Sequence, residues 1–270
     1  MPKLLEVKNL KTQFFTSGGV VKAVDDISYD VEGGETLAVV GESGCGKSVS
    51  AMSILRLIPW PPGKVVGGTI HFMGKDLLTV SEDEIRTIRG RKISMVFQEP
   101  MTSLNPVFSI GEQIMETLLV HESITRSEAK QQALLALEEV GIPKNRFSSY
   151  PHEFSGGMRQ RVVIAIALAC TPDLLIADEP TTALDTSTSL HIIALLKRLQ
   201  QDRGMGIFFI THDLCLVSSI ADQICVMRSG KIVERGETSM VLSTPTHPYT
   251  VALTACVPSI YTKRKRLPTI

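Results

Sequence analysis

Eight consecutive residues, Gly41-Glu42-Ser43-Gly44-Cys45-Gly46-Lys47-Ser48, have the spacing G-x-x-x-x-G-K-[ST]. Glycines at those positions let successive backbone N–H groups turn inward around a phosphate, and a helix opening behind them adds its partial positive charge. Lys47 is placed to neutralise the terminal phosphates, and the Ser48 hydroxyl to ligate Mg²⁺. From Val49 a helical run is predicted to reach Leu57, where Pro59 stops it. A second cluster ends the apolar run Leu174 to Ala177 with two adjacent carboxylates, Asp178 and Glu179. One carboxylate at a strand end can hold Mg²⁺ while its neighbour orients or deprotonates an attacking water. A third cluster, Ser155-Gly156-Gly157-Met158, precedes the apolar helix Val162 to Ala169. A serine and two glycines at a helix start form a second anion nest, which an enzyme with a single self-contained phosphate loop does not need.

These clusters need elements to carry them. Apolar runs at Thr36 to Val40, Leu174 to Ala177 and Ile207 to Ile210 each end in a polar group, the last in Thr211-His212-Asp213. Helical stretches lie between them, the pattern of a parallel sheet covered by helices, whose ligands sit at the carboxyl ends of the strands. Residues 3–35 and 65–75 alternate with glycine pairs at Gly18-Gly19, Gly33-Gly34 and Gly67-Gly68. They predict a small antiparallel sheet with turns at those pairs. Residues 100–155 read as a helical insertion. Within it Thr125 and Glu128 have capping-box spacing ahead of Ala133, Leu134, Leu137 and Val140, and Gly141 with Pro143 closes the helix. A hairpin is predicted at Ile224 to Glu234.

Composition narrows the class. The chain has 270 residues with 28 Lys+Arg against 28 Asp+Glu, so no broad positive field is present to grip nucleic acid. Mean hydropathy is +0.15. The apolar run Val162 to Cys170 covers only nine residues, whereas a spanning helix needs about 20. The first residues carry charges too frequently for a signal peptide, which predicts a cytosolic chain. Five scattered cysteines without a C-x-x-C pair read as reduced thiols, mostly small buried hydrophobes.

In chain order the phosphate loop is followed by Gln98, Ser155-Gly156-Gly157, Asp178-Glu179, Ala183-Leu184-Asp185 and His212. In this the chain resembles the ATP-binding-cassette ATPases over residues 4–240. The resemblance implies an α/β fold of the P-loop NTPase class, a RecA-like core with an antiparallel β subdomain and a helical subdomain at about residues 100–158. It implies ATP bound by Gly41 to Val49, with Lys47, Glu179, His212 and Gln98 as the catalytic set. Gln98 would also touch Mg²⁺ or water and sense the γ-phosphate, and Ser48 and Asp178 would serve the metal. Ser155 to Met158 would be the signature loop that completes the ATP site of a partner subunit, and Ala183 to Asp185 the dimer-interface loop. Adenine needs an aromatic face upstream, for which Phe14 and Phe15 are the candidates and Phe15 is put forward. The chain departs from the usual Leu-Ser-Gly-Gly-Gln signature at Phe154 and Met158; Met158 has no amide to donate, while the backbone nest remains.

The stretch Gln98 to Pro106, with Tyr150-Pro151-His152, Met158 to Arg161 and Thr246-His247-Pro248-Tyr249-Thr250, further resembles the D-type ATPase subunits of oligopeptide, dipeptide and nickel importers. Residues 241–270 are then the C-terminal extension of that subfamily. Many of its members carry a cysteine-rich tail that can hold an iron–sulfur cluster. The residues here lack that cysteine spacing, and no cluster is expected. The implied partners are a second ATPase subunit, identical or different, two transmembrane permeases and, indirectly, an extracytoplasmic binding protein, with no nucleic acid. The implied location is peripheral, at the cytoplasmic face of the cell membrane. Peptides are the expected cargo, with nickel or a metal chelate as the alternative and a soluble cassette outside transport as a second. The basic run Lys263 to Arg266 reads as a solvated tail.

Overall fold

The computed structural model describes residues 3–98 and 103–256. The chain divides into two compact units, one built from the segments before Val80 and after Ile207, the other from Val80–Ile207. The expected tail Lys263 to Arg266 and residues Glu99 to Thr102 of the stretch after Gln98 lie outside the described residues.

In the first unit β1 (Lys3–Thr16), β2 (Gly19–Glu32), β4 (Gly63–Phe72) and β5 (Lys75–Asp76) form an antiparallel sheet in the order β2-β1-β4-β5. Burial along β1 falls on Leu5 and Val7, then moves to Leu10 and Thr12. Side chains alternate across a strand with period two, so this change of parity needs an extra residue. It is supplied at Asn9, φ 50°, where the register against both neighbours shifts. Gly68 (φ +94°) stands opposite this bulge, and a Cβ there would lie 2.6 Å from the backbone of Lys8, Asn9 and Leu10. Gly67-Gly68 is therefore not the turn the sequence predicts but the interior of β4, and the turn falls at Met73-Gly74. Glycine is required here for close backbone approach.

The same unit holds β10 (Lys231–Glu237), β9 (Gln223–Arg228), β3 (Thr36–Val40) and β8 (Gly206–Thr211) in that order, β8 being the strand along which the chain returns from the second unit. β3 runs parallel to β9, Leu37 opposite Gln223 through Val40 opposite Val226. Every residue of β3 is buried, which fits a strand covered on both faces. Behind it α1 (Lys47–Ile54) buries Ser50 and Ser53, whose hydroxyls pair with Tyr29 Oη at 2.8 Å and Thr12 Oγ1 at 2.9 Å. Buried hydroxyls thus find partners on the antiparallel sheet. α1 ends one turn before the predicted Leu57. Arg56 adopts φ 51°, its N–H donates to Ser53 O, and Leu57 N–H donates to Met52 O. This Schellman closure normally carries glycine, and its absence hid the stop. The remaining helices of the unit are α7 (Leu214–Ile220), α8 (Thr238–Ser243) and α9 (Pro248–Ala255).

The second unit contains α2 (Glu82–Ile88), β6 (Ile93–Val96), α3 (Ile110–His121), α4 (Arg126–Glu139), α5 (Gly156–Leu168), β7 (Leu174–Asp178) and α6 (Thr186–Arg203). β6 and β7 are parallel, Ile93 opposite Leu174 through Val96 opposite Ala177. The predicted capping box is present: Thr125 Oγ1 accepts from Glu128 N–H and Thr125 N–H donates to the Glu128 carboxylate at 2.7 Å. An equivalent box at Ser109 and Glu112 starts α3. Leu134 is only half-buried, and Ala129 and Ala136 join Ala133, Leu137 and Val140 in the core instead. No helix among the described residues is long and apolar enough to cross a membrane.

Candidate active site

Strand β3 ends at Gly41, φ +152°, where a Cβ would stand 2.2 Å from Met227 O. Gly46, φ +107°, would meet Ala23 O at 2.2 Å and is the N-cap of α1 without a side-chain cap bond. Glycine at both positions lets the loop turn tightly, and the first-turn N–H groups of α1 receive no side-chain cap from Gly46, as an anion site requires. At Gly44 nothing lies within 4 Å of where a Cβ would stand, so the loop borders open space there. Glu42, Ser43 and Gly44 are exposed, Cys45, Gly46 and Lys47 buried, Ser48 and Val49 half-buried. Lys47 Nζ spans the loop, donating to Gly41 O at 2.8 Å and Glu42 O at 2.9 Å. Two carbonyls thereby compensate the burial of Lys47, a residue only 4% exposed. Burial pushes the neighbouring Cys45 thiol up, which keeps it protonated at neutral pH and unreactive. The turn of the β9–β10 hairpin braces the loop through Gly230 N–H to Cys45 O at 2.9 Å.

His212 follows β8 in the same unit, exposed, while Thr211 Oγ1 accepts from Asp213 N–H and Asp213 caps α7. Of the two aromatic candidates Phe14 is half-buried, its ring 2.8 Å from where a Gly63 Cβ would stand, whereas Phe15 is 43% exposed. Phe15 meets Trp60 edge to face, centroids 6.0 Å apart. Trp60, the one tryptophan of the sequence, received no role from sequence reasoning, although its place before Pro61-Pro62 marks it as lying in a turn.

In the second unit β7 delivers Asp178, 5% exposed, and then Glu179. Glu179 adopts φ 46°, a left-handed conformation that costs energy outside glycine and asparagine. Its Oε2 accepts from Gln98 Nε2 at 3.1 Å, beyond the end of β6, and from Thr182 Oγ1 at 2.8 Å. The structure therefore brings together Gln98 and Glu179, 81 residues apart, and adds Thr182. Sequence reasoning missed Thr182 because a threonine after Glu179-Pro180 carries no spacing signal of its own.

Ser155 is the N-cap of α5 and accepts from Met158 N–H, with Gly156 and Gly157 in the first turn. A Cβ at Gly157 would lie 2.4 Å from Thr188 Cγ2, and one at Gly156 3.5 Å from Leu184 Cδ2. The serine-glycine nest thus packs on the Ala183 to Asp185 loop, whose Asp185 caps α6 by accepting from Thr188 N–H at 3.0 Å. These residues fit the groups the sequence implies. A buried ammonium, two obligatory glycines and an uncapped helix start suit a phosphate chain. The residues that the resemblance implies for the metal, Ser48 in the first unit and Asp178 and Gln98 in the second, each offer a side-chain oxygen, the kind of donor that suits Mg²⁺.

Comparison with known proteins gives two family matches. Residues 24–182 match the family described as ABC transporter, and residues 233–270 match the one described as oligopeptide/dipeptide transporter, C-terminal region. The chain is 52% identical over 260 residues to the oligopeptide transport ATP-binding protein OppD of Bacillus subtilis (strain 168), covering 96% of this chain and 73% of that one. It is 49% identical to the dipeptide transport ATP-binding protein DppD of the same organism, covering 96% and 78%. Among solved structures, the ATP-binding cassette MJ0796, a dimer in a post-hydrolysis state bound to ADP and Pi, gives a TM-score of 0.77 at 27% identity, covering 87% of this chain and 98% of that one. The cassette cbiO1 from Clostridium perfringens, part of the transporter complex cbiONQ, gives 0.78 at 28% identity, covering 93% of each.

Proposed function

Because the chain belongs to the ABC transporter family, we propose that it is the ATP-hydrolysing subunit of an importer that takes up oligopeptides or dipeptides. The observation that carries the catalytic reading is Glu179, held by Gln98 and Thr182 directly after the buried Asp178. A carboxylate oriented by two donors at a strand end is suited to direct a water at the γ-phosphate and to accept its proton. Lys47 neutralises charge on the phosphoryl group in transfer, His212 contacts the γ-phosphate, and backbone N–H groups within Gly41 to Val49, that of Glu42 excepted, hold the phosphate chain. When bound, Mg²⁺ supplies further charge neutralisation at the phosphates, with Ser48, Gln98 and Asp178 as the residues that would hold it. Phe15 offers an open aromatic face for adenine.

Residues 1–240 form the ATPase domain in this reading, with a helical subdomain at about 100–158 and a C-terminal extension at 241–270. Ser155, Gly156, Gly157 and Met158 serve the nucleotide of a second ATPase subunit, so that ATP closes a dimer. Two membrane permeases and an extracytoplasmic binding protein select the peptide, and the chain works at the cytoplasmic face of the membrane without spanning it. The peptide assignment is supported by the names of relatives near 50% identity and by the match over residues 233–270. The test is affinity purification of the tagged chain from detergent-solubilised membranes of its own cell. Two polytopic membrane proteins are expected to come with it, and peptide-loaded binding protein is expected to raise its ATPase rate. Recovery of the chain alone, with a rate indifferent to peptide, would overturn the importer reading.

A further inference from the structure

The Thr246-His247-Pro248-Tyr249-Thr250 segment has no part in the chemistry above, yet it is fastened at both ends. Glu234 on β10 accepts from Thr246 N–H and Thr246 Oγ1, both at 2.8 Å, and from His247 N–H at 3.0 Å. His247 Nδ1 in turn accepts from Tyr249 N–H at 3.1 Å, capping α9. This fixes the first turn of α9 and aims Tyr249 inward, where it is 2% exposed with the Arg228 guanidinium 4.8 Å from its ring centroid. The phenol oxygen accepts from Glu42 N–H at 3.2 Å. Glu42 is the second residue of the phosphate loop, and its carbonyl accepts from Lys47 Nζ. A single loop residue is thus held at its N–H by the C-terminal segment and at its C=O by the lysine proposed to meet phosphate.

We propose that Tyr249 is a positioning residue for the phosphate loop, through which the Thr246–Thr250 segment sets nucleotide affinity. The Lys47 ammonium has three donors, of which Gly41 O and Glu42 O take two and leave one, so a phosphate that draws more than one of them competes with Glu42 O. When phosphate competes for the ammonium, the bond from Glu42 N–H to Tyr249 keeps the loop backbone in its open cradle. Without the phenol oxygen the Glu42 peptide is free to rotate, and part of the binding energy is spent on restoring the loop. Burial pushes the phenol of Tyr249 up, so it stays neutral over the physiological range and the contact is not a pH switch.

The inference rests on reading residues 41–48 as the phosphate loop. Its test uses the full chain and Mg·ADP, which binds without turnover, followed by calorimetry. Tyr249→Phe keeps the ring, its burial and the Arg228 contact and removes only the hydroxyl. The Kd for ADP is expected to rise about threefold to tenfold, the span of one lost hydrogen bond, while the unfolding midpoint without nucleotide stays close to wild type. Glu234→Gln, which loosens the segment without altering Tyr249 or the loop, is expected to raise Kd in the same direction. A rise of less than threefold in Tyr249→Phe, with or without a lowered midpoint, assigns Tyr249 to packing and overturns the proposal. Lys47→Ala separates the two levels. If it leaves ADP affinity intact, the phosphate-loop reading itself fails; if it abolishes binding and Tyr249→Phe does not weaken it, only the positioning role fails.

Discussion

Glu179 shows what one residue can be asked to do. Its backbone is held in the left-handed region and its carboxylate is shared by Gln98 and Thr182, so both its position and its orientation are set by neighbours. Replacement by glutamine keeps the shape and removes the base. Glu179→Gln is expected to bind ATP with wild-type affinity and to lose turnover by about 10²-fold or more, read as single-turnover phosphate release. Turnover within a few-fold of wild type would move the role to another residue. Three of the clusters proposed for this site were legible in the sequence, because Gly-Lys-Ser, Asp-Glu and Ser-Gly-Gly each have a spacing with chemical meaning. Thr182, Trp60 and Tyr249 were not, because their roles come from contacts that no local spacing announces.

At the scale of elements, the strands that end in the residues proposed as catalytic were predictable from apolar runs stopped by polar clusters. The errors lie where glycine was used as a turn signal or its absence as a sign of continuity. Gly67-Gly68 sits inside β4 because the bulge at Asn9 brings backbone to within 2.6 Å of a Cβ position at Gly68. Gly68→Ala is expected to destabilise the fold by about 2 kcal/mol or more, measured by the shift of the urea midpoint at unchanged m-value. A loss below about 0.5 kcal/mol would mean the bulge relaxes. α1 stops early because Arg56 takes the conformation usually left to glycine. The hairpin β9–β10 and α9 are linked by Glu234. Burial alone would raise its carboxyl, but the hydrogen bonds donated to it from the Thr246–Thr250 segment outweigh that and bring it down to about 2 from 4.5. Its folded pKa therefore lies below its unfolded one, so its contribution to stability is complete above about 4.5 and is lost as pH falls toward 2. The stability gap between wild type and Glu234→Gln is expected to hold from neutral pH down to the unfolded value and then close; a gap unchanged near pH 2 would show that the carboxylate charge is not what fastens α9.

At the scale of the molecule, equal numbers of acidic and basic residues leave no broad attraction for a polyanion. In the proposed reading that constraint is met locally, by backbone N–H groups and the one buried lysine at Gly41 to Ser48. The Ser155-Gly156-Gly157 nest belongs to the other unit and is expected to serve a second subunit's nucleotide. Specific ATPase activity should then rise with protein concentration and level off as dimers form. A rate per subunit that is constant from low nanomolar concentration upward would instead describe a self-contained phosphate-loop enzyme.

What the sequence determined by itself was the fold class, the parallel strands with a separate antiparallel sheet and helical region, and the identity of the residues proposed to meet phosphate and water. Those depend on local spacing and on apolar periodicity, which the linear order preserves. Tertiary structure decided which side chains hold or surround those residues: the pairing of Gln98 and Thr182 with Glu179, the exposure of Phe15 beside a half-buried Phe14, and the reach of Tyr249 to Glu42. The contacts of Gln98 and Tyr249 join segments far apart in the chain. Their geometry depends on where bulges and helix ends fall, and a shift of one residue in either would point the side chain elsewhere.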